Sequence, residues 1–148
     1  MATNPNLFPS NLNRIRGSIL VPNNAALNIT AAFLGKEGIV IAPQSPVVTQ
    51  MQGLATIVNS EEPYQLVQVT AMVMKSLALS AAYINQIQQS PTVGTITVTP
   101  DTSVLPQFTL YNAAIVNWNQ ISMAGTQPDF AIVFQGQFNT SNDLWNLI

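Results

Sequence analysis

Apolar and polar residues alternate with period two over most of this chain, the pattern of strands that bury one face. Leu27, Ile29, Ala31 and Phe33 share one side of a run that Gly35 ends, and Glu37 to Ile41 gives a further strand before a loop marked by Pro43, Ser45 and Pro46. Val47 to Ser60 and Tyr64 to Met74 read as two long strands, joined into a hairpin by a polar turn at Asn59-Ser-Glu-Glu-Pro63. In the second of these, Val67, Val69, Ala71 and Val73 lie on one side, and Leu66, Gln68, Thr70 and Met72 on the other. Strands are also expected at Gly94 to Thr99, Gln107 to Trp118 and Asp129 to Phe138, the last with Phe130, Ile132, Phe134 and Phe138 on a common face.

The period changes once. Along Lys75 to Gln89, residues Leu77, Ala81, Ile84 and Gln88 trace a helical stripe with Leu79, Tyr83 and Ile87 beside it. Ser76 is placed to cap this helix and Ser90-Pro91 to stop it. The pattern therefore predicts a mainly β fold with one α-helix, in a single domain over residues 1–148. Residues 1–25, interrupted by Pro5, Pro9 and Pro22, are expected to form an extended arm. Its Leu7, Phe8, Leu12 and Ile15 favour docking on its own domain or on a neighbour. Residues 139–148 make a tail that ends in Leu144, Trp145, Leu147 and Ile148, an apolar end that calls for a partner surface.

Charge sharpens this picture. Charged residues are only 7% of the chain, against roughly 25% in an ordinary domain. A solvent-facing sheet normally carries Lys and Glu, whereas the outer positions of the long hairpin carry Gln and Thr, which fits a confined polar space or an interface. A net charge of −2 also protects poorly against association. Low charge limits repulsion between many identical copies, so repeated self-assembly accounts for the composition. The four basic residues, Arg14, Arg16, Lys36 and Lys75, are too few and too scattered to grip nucleic acid through its phosphates.

Candidate chemistry is sparse. With no histidine and no cysteine, Ser-His-Asp and Cys-His nucleophile arrangements and the common zinc sites are excluded. Glu61 and Glu62 sit together in the expected turn, while Asp101 and Asp129 each follow a proline as turn formers. No carboxylate spacing suggests a glycosidase pair or a calcium loop, and no glycine frame suggests a phosphate loop. The expectation is a protein that is not an enzyme and needs no cofactor or metal. The stretch Val67 to Ile87 carries too many polar residues for a membrane span, and the first residues lack the basic and apolar regions of a secretory signal.

The order of elements resembles the tail tube proteins of contractile-tailed bacteriophages. The resemblance rests on the Gly38-Ile-Val-Ile-Ala42 strand, the hairpin through Gly53-Leu-Ala-Thr-Ile-Val-Asn-Ser-Glu-Glu-Pro-Tyr-Gln65, the helix Lys75 to Gln89 and Gly94-Thr-Ile-Thr-Val-Thr-Pro100. It continues through Leu110-Tyr-Asn-Ala-Ala-Ile115 and Phe130-Ala-Ile-Val-Phe134. It implies a β-sandwich or half-barrel flanked by a helix, whose long hairpin joins a continuous barrel in a hexameric ring. Rings would stack into the inner tube of the tail, a conduit for DNA. The partners implied are the chain itself, the tail sheath protein, and the baseplate and tail terminator proteins. The location implied is the virion, after assembly in the bacterial cytoplasm.

Carried onto this chain, the resemblance makes Gln50, Gln52, Thr56, Gln68 and Thr70 candidates to line the lumen. Candidates for contacts between subunits or rings are Leu7, Phe8, Lys36, Glu37, Pro43, Glu61, Glu62, Trp145 and Ile148. The same fold would serve the tube of a contractile bacteriocin or a type VI secretion system. From other classes, a capsid decoration or fibre-type protein and a carbohydrate-binding module are the alternatives, and both would present exposed aromatic clusters.

Overall fold

Alternating strands with one apolar side must cover that side, and here a single antiparallel sheet does so by curling on itself. The computed structural model describes residues 16–101 and 105–140. Its strands are β1 (Gly17–Leu20), β2 (Leu34–Pro43), β3 (Val48–Gln52), β4 (Ile57–Glu61), β5 (Tyr64–Met74), β6 (Thr92–Pro100), β7 (Phe108–Trp118) and β8 (Asp129–Asn139), with one helix, α1 (Ala78–Gln89). Six strands form a sheet in the order β1-β6-β7-β8-β5-β2, and β3 and β4 form a separate ribbon. The two end strands approach each other, since a Cβ placed on Gly17 would lie 3.4 Å from Ile39 Cδ1. The fold is thus mainly β, with a single α-helix and a nearly closed, barrel-like sheet.

Register explains the core. Val69 pairs with Phe134, Ala71 with Ile132 and Val73 with Phe130, so the odd positions of β5 and the even positions of β8 point the same way. Leu110, Ala113 and Ile115 of β7, Ile96 and Val98 of β6, and Ile19 of β1 complete the buried set. Helix α1 closes one side through Leu79 and Tyr83. The Tyr83 ring meets Phe134 edge-on at 5.9 Å between centroids, an arrangement worth about 0.5–1.5 kcal/mol beyond burial. Its hydroxyl donates to the carbonyl of Leu27, and burial pushes the phenol above its ordinary pKa.

A six-stranded sheet closes this tightly only if its strands coil sharply. Each of the described residues with positive φ lies at a break in strand pairing: Gly38 in β2 (φ 66), Gly94 in β6 (φ 81) and Asn112 in β7 (φ 53). Such bulges raise the local twist, and Gly and Asn are the residues that accept this backbone most readily. Gly136 of β8 answers the β7 bulge. A Cβ there would stand 2.8 Å from Leu110 Cβ and 3.2 Å from Ala113 Cβ, so only glycine lets the two strands cross this closely.

Several expectations are corrected. The run Leu27, Ile29, Ala31, Phe33 is not a strand; it forms 3-10 turns at Ala25–Leu27 and Ala31–Phe33 around a single bridge from Ile29 to Ile19. Asparagine side chains take the place of ladder partners: Asn24 Oδ1 accepts from Ala26 N at 3.2 Å and Asn28 Oδ1 from Val21 N at 2.8 Å. Leu27 and Ile29 are buried all the same. Of the expected arm, residues 17–20 form edge strand β1 and Ile19 and Val21 enter the core, while residues 1–15 lie outside the described set. Asn139 ends β8, and residues 141–148 lie outside that set as well.

The helix begins at Ala78, with Leu77 and not Ser76 at its N-cap. Ser80 instead donates to the carbonyl of Met74 at 2.8 Å, and the Lys75 amide donates to Pro128 O at 3.0 Å, so the residues before Ala78 are spent on the turn from β5. Ala81 and Gln88 of the expected stripe are exposed, and the buried positions are Leu79, Ser80 and Tyr83. Ser90 does stop the helix, its amide donating to Gln86 O at 2.8 Å. Asp129 opens β8 as a buried residue and is not a turn former.

Two outcomes are expected. Tyr83→Phe should cost about 0.5–1.5 kcal/mol in denaturant unfolding by losing the bond to Leu27. Because the folded phenol is held protonated, the native protein should keep full stability below the ordinary tyrosine pKa of about 10 and lose it as pH rises above that value. Tyr83→Phe should lack this alkaline component. Gly136→Ala should lower stability by about 1–3 kcal/mol through overpacking, a loss that thermal unfolding would register.

Candidate functional site

The carboxylates do not converge. Among the described residues no three of His, Cys, Asp and Glu come together. Asp101 pairs with Arg16 at 3.3 Å, Glu62 accepts from Thr49 Oγ1 at 2.9 Å, Glu37 and Glu61 are exposed, and Asp129 is buried against Gly35. What the fold offers instead is surface of three kinds: a sheet face, a projecting ribbon and a cleft.

The sheet face follows from the register. Since Val67, Val69, Ala71 and Val73 point inward, their neighbours on β5 point out, and pairing extends Leu66, Gln68 and Thr70 into rows across three or four strands. One row runs Ala42, Gln68, Gln135, Ala114; the next runs Val40, Thr70, Val133, Asn117; a third joins Leu66, Gln137 and Tyr111. None of these residues is charged. Gln135 Nε2 donates to Gln68 Oε1 at 3.4 Å and Gln137 Nε2 to Asn139 Oδ1 at 2.8 Å, so amides partly satisfy one another across the face. Gln68 and Thr70 stand here as expected residues, whereas Gln135, Gln137, Tyr111 and Asn117 went unsuspected. Their signal was the uncharged polar alternation beside Phe130, Ile132 and Phe134.

The ribbon corrects the expected hairpin. Asn59 to Glu61 lie in strand β4, not in a turn, and the chain reverses at Gly53 to Thr56, where Gly53 N donates to Thr56 O at 2.8 Å. Accordingly β3 pairs with β4, and β5 pairs with β2 and β8. The two hairpin segments are nonetheless continuous. Gln44 N donates to Leu66 O at 2.7 Å, Glu62 N to Val47 O at 2.9 Å, and Gln65 Nε2 to Ser45 O at 2.6 Å, bridging the interruption. All residues from Pro46 to Glu61 are exposed, so the ribbon stands away from the core. Gln50, bonded to Asn59 Oδ1 at 3.0 Å, sits on it with Gln52, and Thr56 is in its turn. The five lumen candidates are therefore divided between two surfaces.

Met51 pairs with Val58 on the ribbon's other side, and Leu54 at the tip is exposed to 108% of its reference area. An isolated two-stranded ribbon is marginal in water, and this one leaves Met51, Leu54, Ile57 and Val58 exposed. Of the expected contact residues, Glu61 and Glu62 lie at the ribbon's root, Pro43 ends β2, and Lys36 and Glu37 are exposed near its start. Leu7, Phe8, Trp145 and Ile148 lie outside the described residues.

The cleft opens where the sheet fails to close. Between β1 and β2 lies a space of about 800 Å³, lined by Leu34, Ile39, Ile41, Val98, Leu105 and Phe108, with Arg16, Lys36 and Glu37 also on its walls. No helix among the described residues is long and apolar enough to cross a membrane. No protein-family model matches this chain, and no curated protein sequence matches it either.

Because Leu54 and every other residue from Pro46 to Glu61 are exposed, Leu54→Asp should leave unfolding stability within about 0.5 kcal/mol of the parent. The same change should reduce concentration-dependent association in static light scattering. A large loss of stability would show that the tip packs on the body.

Proposed function

We propose that this protein is a structural subunit that assembles with copies of itself into stacked hexameric rings, the inner tube of a contractile phage tail. The single observation that carries this reading is the charge-free patch on the outer face of β2, β5, β8 and β7, the three rows through Leu66, Gln68 and Thr70. A patch of three such rows, without one Lys, Arg, Asp or Glu, suits neither open solvent nor a nucleic-acid grip. It suits the wall of a narrow polar conduit, formed when six half-barrels place these faces side by side around an axis.

The chemistry of such a wall is permissive. A polyanion is held by proteins that neutralise its phosphates and release counterions, and a lining of Gln, Thr, Asn and Val does neither. DNA would meet amides and methyl groups that exchange water readily, and would slide. The three rows carry no acidic residue either, so passage would rest on the absence of attraction rather than on repulsion. The ribbon and the cleft would serve stacking, with sheath, baseplate and terminator proteins meeting the outer and end surfaces. The tube of a contractile bacteriocin or a type VI secretion system would use the same geometry for another cargo.

Purified protein at high concentration should give rings or tubes in negative stain and a matching mass in light scattering. A protein that stayed monomeric would sink the proposal. Gln68→Lys combined with Gln135→Lys should leave the fold intact and turn a non-binding assembly into one that retains DNA at low salt, with retention falling steeply as salt rises. Unchanged DNA behaviour in assembled tubes would show that this face does not line the conduit.

A further inference from the structure

We infer that the ribbon tip of one copy seats in the cleft between β1 and β2 of another, so that the open seam of the barrel is a socket for a second copy of this chain. The inference rests on the assembly reading above and names the contact that would propagate it.

Three observations converge. The first is that ribbon and cleft are complementary in kind. From Pro46 to Ser60 the ribbon carries no charged residue, and its exposed apolar side chains include Met51, Leu54 and Val58. The cleft has an apolar lining and a volume within the range that binding pockets occupy, about 300–1,000 Å³. An uncharged tip brings no ion of its own into such a space.

The second is direction. Lys36 lies near the start of β2 and the ribbon continues from its far end, so the seven steps from Lys36 to Pro43 alone separate them by about 23 Å at strand rise. The bonds from Gln44 to Leu66 and from Glu62 to Val47 keep the hairpin running onward and not folding back. The tip of a copy is therefore directed away from that copy's own cleft. The contact joins two different patches on two molecules, which is the heterologous kind that extends into stacks.

The third is charge. Arg16 is paired with Asp101, and Lys75 donates to the carbonyls of Ser122 and Ala124. Lys36, on the cleft wall, has no ion pair among the described residues, and neither has Glu61 at the ribbon root. With the tip in the socket the ribbon root faces its mouth, so the opposite charges of Glu61 and Lys36 orient the contact more than they strengthen it.

The chain has no cysteine, which makes cross-linking clean. Two single variants, Leu54→Cys and a size-tagged Glu37→Cys, are to be mixed under assembly conditions and treated with a short bismaleimide. Both positions are exposed, so neither change threatens folding. The expected product is the mixed 54–37 species, and a variant carrying both cysteines should give a ladder of multimers. Lys36→Glu or Glu61→Lys alone should slow formation of that species at least about threefold, and the two together should restore it. Tubes in negative stain without the 54–37 product, or with only 54–54 product, overturn the socket and leave the tube reading standing. A monomeric protein with no product overturns both.

Discussion

One sheet has to wrap its own core, and the rest of the structure depends on how it does so. Six antiparallel strands bury a single face against one helix, and the curl needed is sharper than regular pairing supplies. Gly38, Gly94 and Asn112 provide it by interrupting the ladder where the backbone turns into the left-handed region. Gly136 then allows the β7 bulge to pass at close range. Tyr83 fills the enclosed space and ties the helix to the Leu27 carbonyl, so the helix, the N-terminal turns and the sheet hold one another in place.

Burying one face leaves the other free of any duty to the core. In this chain the middle of the freed face carries no ion, Asp129 at its end being buried against Gly35, and several of the described charges are used locally: Arg16 and Asp101 fasten β1 to the end of β6, and Lys75 anchors the segment around Ser122. What the composition shows as a deficit of charge is, in space, a partition. Ions gather at the seam, the ribbon root and one loop, and the broad strand face is left to amides, hydroxyls and methyl groups.

Much of the fold could be read from residue order, and the failures share a cause. Strands β5 and β8 were legible because Val67, Val69, Ala71 and Val73, and Phe130, Ile132 and Phe134, repeat with the pleat and are buried on one side only. Residues 25–33 have the same alternation, yet Asn24 and Asn28 supply acceptors from their own side chains and release the backbone from the ladder. Glu61, Glu62 and Pro63 have the composition of a turn, but the reversal falls at Gly53-Leu-Ala-Thr56, where an apolar Leu54 disguised it. Which residues share the outer face depends on register between distant strands, and bulges set that register. Gln68 could be placed beside Thr70 from one strand alone. Its neighbour Gln135 required the pairing.

The interruption between Pro43 and Val48 gives the ribbon a mechanical character of its own. Ser45 grips β5 from both sides, its hydroxyl accepting from Leu66 N and its carbonyl from Gln65 Nε2, so the root is held firmly while the strands beyond it pair only with each other. With about 17 Å of strand between root and tip, a rotation of roughly 10° at the root displaces the tip by about 3 Å. In the proposed assembly, rigid units joined by such arms would make a filament that flexes at its joints while the cross-section of each unit keeps its shape.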